Sequence, residues 1–453
     1  MEAFELMPIE KLMRPEGFDC ECGVHHAVSC KYLKIARGAI ELLPEAVRAC
    51  GGRKAFVVCD KNTYAAAGER ALRVLARAGI ESTLFMLSEH GYPKVEPDEY
   101  SLGSLAMRFD TSCDIIIAVG GGVINDLSKI LAFVSNLPQI ILGTAPSMDG
   151  FASNSSSMVV DNVKSTLYNR CPAGIVLDTE IMAQAPMRML QAGFGDMIAK
   201  YISVCEWRIS HVVNGEYYCE HVAALMRNAL KKIMDSADGL AKRDPDSVGA
   251  VAEGLVLSGF AMSFAKVSRP ASGLEHYFSH MWDMLALERG READLHGIQV
   301  GVGTVLTMNI YEDIKTLKPS RAKAEKHMRE FDTAAWEANI RRVFGKTAPQ
   351  VLAIEETAGK NDPLKHAKRL NALIENWDVI QDIIRAELPD REWLFEKMRV
   401  LGMPMTPADI GINRQDTLDA FLCARDIRDK YLSASFLWDL GEIEEFAEKL
   451  RSK

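Results

Sequence analysis

Apolar residues recur along the first half of the chain in two alternating rhythms. Short, nearly unbroken runs at Lys54–Asp60, Glu81–Leu87, Asp114–Val119, Gln139–Leu142 and Gly174–Asp178 have the length and β-branched character of buried strands. Between them, Ala66–Ala78 and Ile124–Val134 place apolar side chains three and four residues apart, on one face of a helix. This rhythm predicts a doubly wound α/β sheet, with Val159–Lys164 as a further strand of that domain. After Thr179 the strand signal nearly vanishes. Helical spacing runs through Ala192–Ser210, His221–Ala241, Ser247–Val267, Leu274–Ala286, His296–Leu317 and Arg321–Val343. It continues from Asp362 to Lys453, broken at Pro389, Pro404 and Pro407. The expectation is an α/β domain over 1–178 followed by an all-α domain over 179–453.

At 453 residues the chain exceeds what one core usually supports, in keeping with two domains. A formal net charge of −9 argues against a nucleic-acid or anionic-membrane partner. The N-terminus lacks an apolar core of signal-peptide length, and no apolar stretch is expected to span a membrane. Ten cysteines, mostly scattered singly through apolar segments, suit a reduced cytoplasmic protein. Cys20, Cys22, His25 and His26 cluster in DCECGVHH. They are compatible with a small metal site, but Cys-x-Cys is not zinc-knuckle spacing. A hairpin of FDCEC with AVSCKYLKI, turning at Gly23, is the expected arrangement.

The segment CDIIIAVGGGVINDLSK, Cys113–Lys129, carries the strongest chemical signal. A buried strand runs through three glycines into a helix, so backbone N–H groups and a positive dipole end await an anion such as a nucleotide phosphate. The turn is GGGVIND and lacks the G-x-G-x-x-G fingerprint. Asp60, at the end of an early strand, can take ribose hydroxyls and would repel a 2′-phosphate, or it simply caps the loop before Asn62-Thr63. Thr144, Ala145, Pro146 and Ser147, with Asp149, Gly150 and Ser153 behind, follow another strand at the ligand-binding edge. In the helical half, Asp196 sits in GFGDMIAKY and His276 and His280 share a helix face. His296 opens the next helix, along which lie Gly297, Gly301 and Gly303. One Asp and two His can bind a divalent metal with positions left open.

These segments, in this order, resemble glycerol-1-phosphate dehydrogenases: GGGVINDLSK, TAPSMDGFAS, GFGDMIAKY, SGLEHYFSH and LHGIQVGVGTVL. That family belongs to a superfamily with glycerol dehydrogenase, iron-containing alcohol dehydrogenases and 3-dehydroquinate synthase. MPMTPADIGINRQDTLDAF and RDKYLSASFLWDLG resemble the end of the same fold, and CECGVHH resembles the bacterial branch.

The resemblance implies a dinucleotide domain followed by a helical domain around one divalent metal, whether zinc, nickel or iron. Matched residue by residue, Asp196, His276 and His296 correspond to metal ligands. Asp60, Gly121, Gly122, Val123, Ile124, Asn125 and Asp126 correspond to cofactor positions, as do Thr144, Ala145, Pro146, Ser147 and Ser153. Asp149, Asp196 and His280 correspond to substrate contacts, with Asp196 and His280 catalytic. The implied reaction is reversible reduction of dihydroxyacetone phosphate to sn-glycerol 1-phosphate by NADH or NADPH, with Asp60 favouring NAD. Helical-domain relatives generally associate, which favours a dimer. The alternatives are a glycerol or other alcohol dehydrogenase, a 3-dehydroquinate synthase-like lyase, or a binding protein without turnover. Lys164, Lys200 and Arg269 could meet the substrate phosphate or be surface charges. The charged stretch Arg321–Arg391 suggests a solvated surface or a subunit contact.

Overall fold

The structure is a computed structural model and describes residues 3–89, 91, 94–161 and 163–452. The chain is compact in two units, Met1–Met197 with Glu220–Ser268, and Ile198–Cys219 with Arg269–Lys453. It does not divide at one point after Asp178.

The first unit holds six parallel strands: β1 Tyr32–Ala36, β2 Lys54–Cys59, β3 Glu81–Met86, β4 Ile115–Gly120, β5 Gln139–Gly143 and β8 Gly174–Asp178. Their order is β1-β8-β5-β4-β2-β3. β4, β5 and β8 are buried at every position, as their unbroken apolar runs require. From β2 the chain goes outward to β3 and then back past β2 to β4. The strand order therefore reverses between β2 and β4, and ligands of open α/β sheets bind beyond the strand ends at such a point.

Two strand expectations are corrected. Tyr32–Ala36 is not half of a hairpin; it pairs in parallel with β8, with Tyr32 opposite Gly174. An edge strand is only half buried, and its alternation looks like that of a hairpin arm. Of the expected hairpin, one antiparallel pair forms, Phe18 with His26. Val159–Lys164 is not one strand of the main sheet; it spans the turn of a separate two-stranded antiparallel sheet, β6 Ser155–Val160 with β7 Val163–Tyr168. Asp161 starts its turn at φ 52°, a conformation Asp tolerates better than most residues.

No strand follows β8 among the described residues. The longest expected helices are broken. Ala192–Ser210 is Met187–Ile198 plus Lys200–Asn214, and His221–Ala241 is Glu220–Asp235 plus Ala237–Ala241. Arg321–Val343 is Arg321–Arg329 plus Thr333–Phe344. There Asp332 accepts the N–H groups of Ala334 and Ala335 and so starts a new helix. Pro245–Ala265 is long and apolar enough to cross a membrane, contrary to the expectation that no segment is. It is mostly buried within the fold, against Glu220–Asp235 among others. Most of the charged residues in Arg321–Arg391 are exposed, and two of its arginines reach buried acids of the same unit: Arg342 pairs with Asp419 and Arg369 with Asp439.

Candidate active site

β4 ends at Gly120, Gly121 is extended, and Gly122 opens the helix Gly122–Val134. None of the three has a positive φ, so left-handed freedom is not what they supply, and at Gly120 the requirement is space. A Cβ on Gly120 would lie 2.7 Å from Ile124 Cγ1 and 2.8 Å from its Cβ, where the helix gives no room to retreat. At Gly121 the nearest atom would be Ser147 Oγ at 3.9 Å. No side chain caps the helix, so the N–H groups of Gly122, Val123 and Ile124 have no capping acceptor, a helix start whose chemistry fits a dinucleotide pyrophosphate.

Val58 pairs with Ala118, so Asp60 and Gly120 end neighbouring strands at the point of reversal. Asp60 is a cap as well as a candidate ligand. Its Oδ1 accepts the N–H groups of Asn62 at 2.9 Å and Thr63 at 2.8 Å.

The Thr144 N–H donates to Gly120 O at 3.1 Å, tying the TAPS loop to the glycine turn. Asn125 and Asp126 hold the following loop from beneath. Asn125 Nδ2 donates to Gly150 O at 3.2 Å, and its Oδ1 accepts from Gln139 at 2.9 Å. Asp126 pairs with Lys129 at 2.9 Å. Lys129, absent from the sequence-derived set, is the hub. Wholly buried, it donates to Gly150 O at 3.2 Å, to Ser153 Oγ at 3.1 Å and to Ser155 O. The available signal was a lysine three residues after an aspartate in an otherwise apolar helix.

The helix Met187–Ile198 approaches this loop so closely that a Cβ on Gly193 would sit 1.8 Å from Pro146 O. Asp196, wholly buried, accepts the Asp149 N–H at 2.9 Å. Asp149 in turn accepts from Ser258 Oγ at 2.8 Å. Ser258 was also missed, because a serine inside the apolar Pro245–Ala265 helix carries no distinctive spacing. Beside it, a Cβ on Gly259 would meet the Ala152 backbone at 2.8 Å, so glycine is what allows the helix to reach the loop.

The second unit gathers the histidines. Ring centroids of His276 and His296 are 5.3 Å apart, His280 and His296 5.9 Å, and His276 and His280 6.4 Å. Close approach of their two helices requires Gly303, where a Cβ would lie 2.4 Å from Glu275 O. Hydrogen bonding sets the His296 tautomer. Gln299 Nε2 donates to Asp283 Oδ1 at 3.1 Å, so its Oε1 accepts from the Ser279 hydroxyl at 2.9 Å. The Ser279 oxygen then accepts from His296 Nδ1 at 3.1 Å, leaving a lone pair on Nε2. His276 Nδ1 likewise donates to Glu275 Oε1 at 2.8 Å. Imidazoles oriented in this way are what a metal needs, so the donor set fits a divalent ion.

Behind Glu275, Glu206 is buried and its carboxyl is pushed up to about 7, by desolvation first and by the charge of Glu275 second. It accepts from the N–H groups of Leu274 at 2.9 Å and Ser433 at 3.0 Å. Arg269 is committed elsewhere, to Glu216 at 2.7 Å and Tyr431 O at 2.9 Å, and Lys200 is buried. The Lys164 side chain lies outside the described residues.

Residues 34–186 match the family of iron-containing alcohol dehydrogenases. The chain is 37% identical over 296 residues to a glycerol-1-phosphate dehydrogenase [NAD(P)+] of Halalkalibacterium halodurans, covering 65% of this chain and 74% of the relative. It is 34% identical over 347 residues to the Bacillus licheniformis protein of that name, covering 74% and 86%. Among solved structures, glycerol dehydrogenase from Schizosaccharomyces pombe superposes with a TM-score of 0.59 at 17% identity, over 93% of this chain and 91% of the other.

Proposed function

Because the chain belongs to the glycerol-1-phosphate dehydrogenase family, we propose that its reaction is the reversible, NAD(P)-linked interconversion of dihydroxyacetone phosphate and sn-glycerol 1-phosphate. The chain is an oxidoreductase, and the activity carried by its relatives' name is the observation that carries the reading. In the reducing direction one hydride and one proton add across the ketone. We assign the product to lipid backbone synthesis in the cytoplasm, the enzyme to a homodimer, and the residues to the following roles.

Residues 1–178 bind the dinucleotide and 179–453 supply most metal and substrate contacts. The N–H groups of Gly122, Val123 and Ile124 receive the pyrophosphate, with Gly121 bare so that it can approach. Asp60 keeps Oδ1 on its cap and offers Oδ2 to a ribose hydroxyl, which favours NAD over NADP. Thr144–Ser147 and Ser153 line the cofactor through the loop that Asn125, Asp126 and Lys129 hold. Asp196, His276 and His296 hold zinc, nickel or iron. When bound, such an ion acts as a Lewis acid on the substrate oxygen. Asp149, oriented by Ser258, and Asp196 position the substrate hydroxyls. His280, beside His296 and less buried than His276, holds the proton that the reduced oxygen takes up.

The test follows NADH absorbance with dihydroxyacetone phosphate and with unphosphorylated dihydroxyacetone, after metal removal and after add-back. Metal-dependent oxidation with the phosphorylated ketone, and an sn-1 product in a chiral assay, are expected. Equal activity on dihydroxyacetone would make this a glycerol dehydrogenase. Loss of NADH with neither would refute the reductase reading.

A further inference from the structure

The segment before the sheet contains a second, unrelated group of soft ligands, and its geometry is that of a metal knuckle. Phe18 and His26 exchange both backbone hydrogen bonds at 2.8 Å, closing residues 19–25 into a loop. Gly17 makes this closure possible: it has φ +59°, and a Cβ there would lie 2.5 Å from His26 O. Inside the loop, Gly23 takes φ +80° and donates to Cys20 O at 3.0 Å. This turn folds Cys22 back on His26, with Sγ 3.3 Å from Nε2. The sulfurs of Cys20 and Cys22 and a ring nitrogen of His26 all lie within 4.8 Å of one another. Tetrahedral zinc with Zn–S of ~2.3 Å and Zn–N of ~2.0 Å needs S···N edges of about 3.5 Å and S···S edges of about 3.8 Å.

The orientation of His26 is also that of a ligand. Its Nδ1 donates to Phe264 O at 2.9 Å, so the lone pair of the neutral ring is on Nε2, facing the sulfur. The ring is wholly buried, with ring centroids of Phe4 at 5.3 Å and Phe264 at 5.6 Å. A dry aromatic wall on one side and thiols on the other keep water from the Nε2 side.

The fourth ligand follows from the chain. Glu220–Asp235 is bound to this segment at its start: His221 Nδ1 meets Glu5 Oε2 at 2.9 Å, and its Nε2 lies 3.6 Å from Glu21 Oε1, between the two cysteines. Asn228 adds a bond to Glu5 O at 3.0 Å. Cys219, buried, is peptide-bonded to the first residue of that helix. At ~3.8 Å per residue it lies within roughly 7.6 Å of His221.

We propose that Cys20, Cys22, His26 and Cys219 bind one zinc ion in a closed structural site, separate from the catalytic metal. The set is three thiolates and one imidazole with no position left for substrate, the composition of structural zinc sites. Its effect is to staple the N-terminal segment to the helix beginning at Glu220. Zinc here stabilises the fold and takes no part in hydride transfer.

The test uses the full-length protein with His276→Ala and His296→Ala together, which removes the proposed catalytic site. Elemental analysis of this variant purified with zinc should show one equivalent per chain. Adding Cys22→Ser or Cys219→Ser should lower that toward zero, whereas Cys59→Ser, in a buried strand elsewhere, should leave it unchanged. Replacing the ion with Co(II) should give thiolate-to-cobalt charge transfer and intense tetrahedral absorption. His26→Cys should keep the ion and shift that spectrum toward an all-thiolate site. If the cysteine variants fail to fold, the cobalt spectrum of the double-histidine parent decides alone. A metal-free parent, a cobalt spectrum without thiolate bands, or full zinc retention in folded Cys22→Ser would each overturn the proposal.

Discussion

Removing the Ser279 hydroxyl should weaken catalytic metal binding without touching a ligand. Ser279 is wholly buried and passes orientation from Asp283, through Gln299, to His296. In Ser279→Ala the His296 Nδ1–H loses its acceptor, so the ring can rotate or place its proton on Nε2, where it blocks the lone pair. Loss of such an outer partner typically costs ~10–100-fold in metal affinity, or about 1.4–2.8 kcal/mol. The same change leaves Gln299 Oε1 unpaired, which adds roughly 1–3 kcal/mol of destabilisation. The assay is the free zinc concentration, set by a chelator buffer, that gives half-maximal NADH oxidation with dihydroxyacetone phosphate. Because it reads turnover, zinc held elsewhere in the chain does not contribute. The expected result is a rise of about 10–100-fold in that concentration, with most of kcat recovered at saturating zinc. A folded variant whose half-saturating zinc stays within about twofold of wild type would refute the tautomer argument.

Three further outcomes can be checked. Gly193→Ala drives a methyl into Pro146 O, so its thermal midpoint should fall by the equivalent of ~1–3 kcal/mol while KM for NADH rises. An unchanged melt and KM would show that the loop shifts freely. Asp60→Ser keeps a capping oxygen for Asn62 and Thr63 but removes the charge, so the NADPH-to-NADH ratio of kcat/KM should rise by about tenfold or more; a constant ratio argues that Asp60 is only a cap. Glu206, raised from 4.5 to about 7 by burial and then by Glu275, contributes stability that is complete below pH 4.5 and lost as pH rises through 7. The wild type should therefore lose up to roughly 3 kcal/mol between pH 4.5 and 7.5, and Glu206→Gln should flatten that slope in urea titrations. Parallel slopes in the two proteins would assign the pH dependence to other groups.

Local chemistry by itself determined a large part of this protein. Nearly unbroken apolar runs placed β2, β4, β5 and β8 within a residue or so of their bounds, because a strand covered on both faces has no polar alternative; the edge strand β3 was placed as closely although much of it is exposed. Three glycines at the end of β4 marked the turn from that strand into the helix Gly122–Val134. The four-residue spacing of His276 and His280 placed them on one face, where their rings meet. Those are properties of a few consecutive residues.

What only the tertiary structure decided depends on partners far away in the chain. β1 joins β8 across more than a hundred residues, and its own alternation fits a hairpin equally well. Lys129 is a hub only because the loop at Gly150–Ser155 folds over it. Nothing in SHMWDM and LHGIQ says that Ser279 lies under His296 and Gln299, since hydrogen bonds between helices depend on their crossing and not on either period. Cys22 meets His26 because a positive-φ glycine turns the loop and a distant carbonyl holds the ring. Periodicity encodes which face of an element is buried; the identity of the atoms it is buried against is settled when the chain closes on itself.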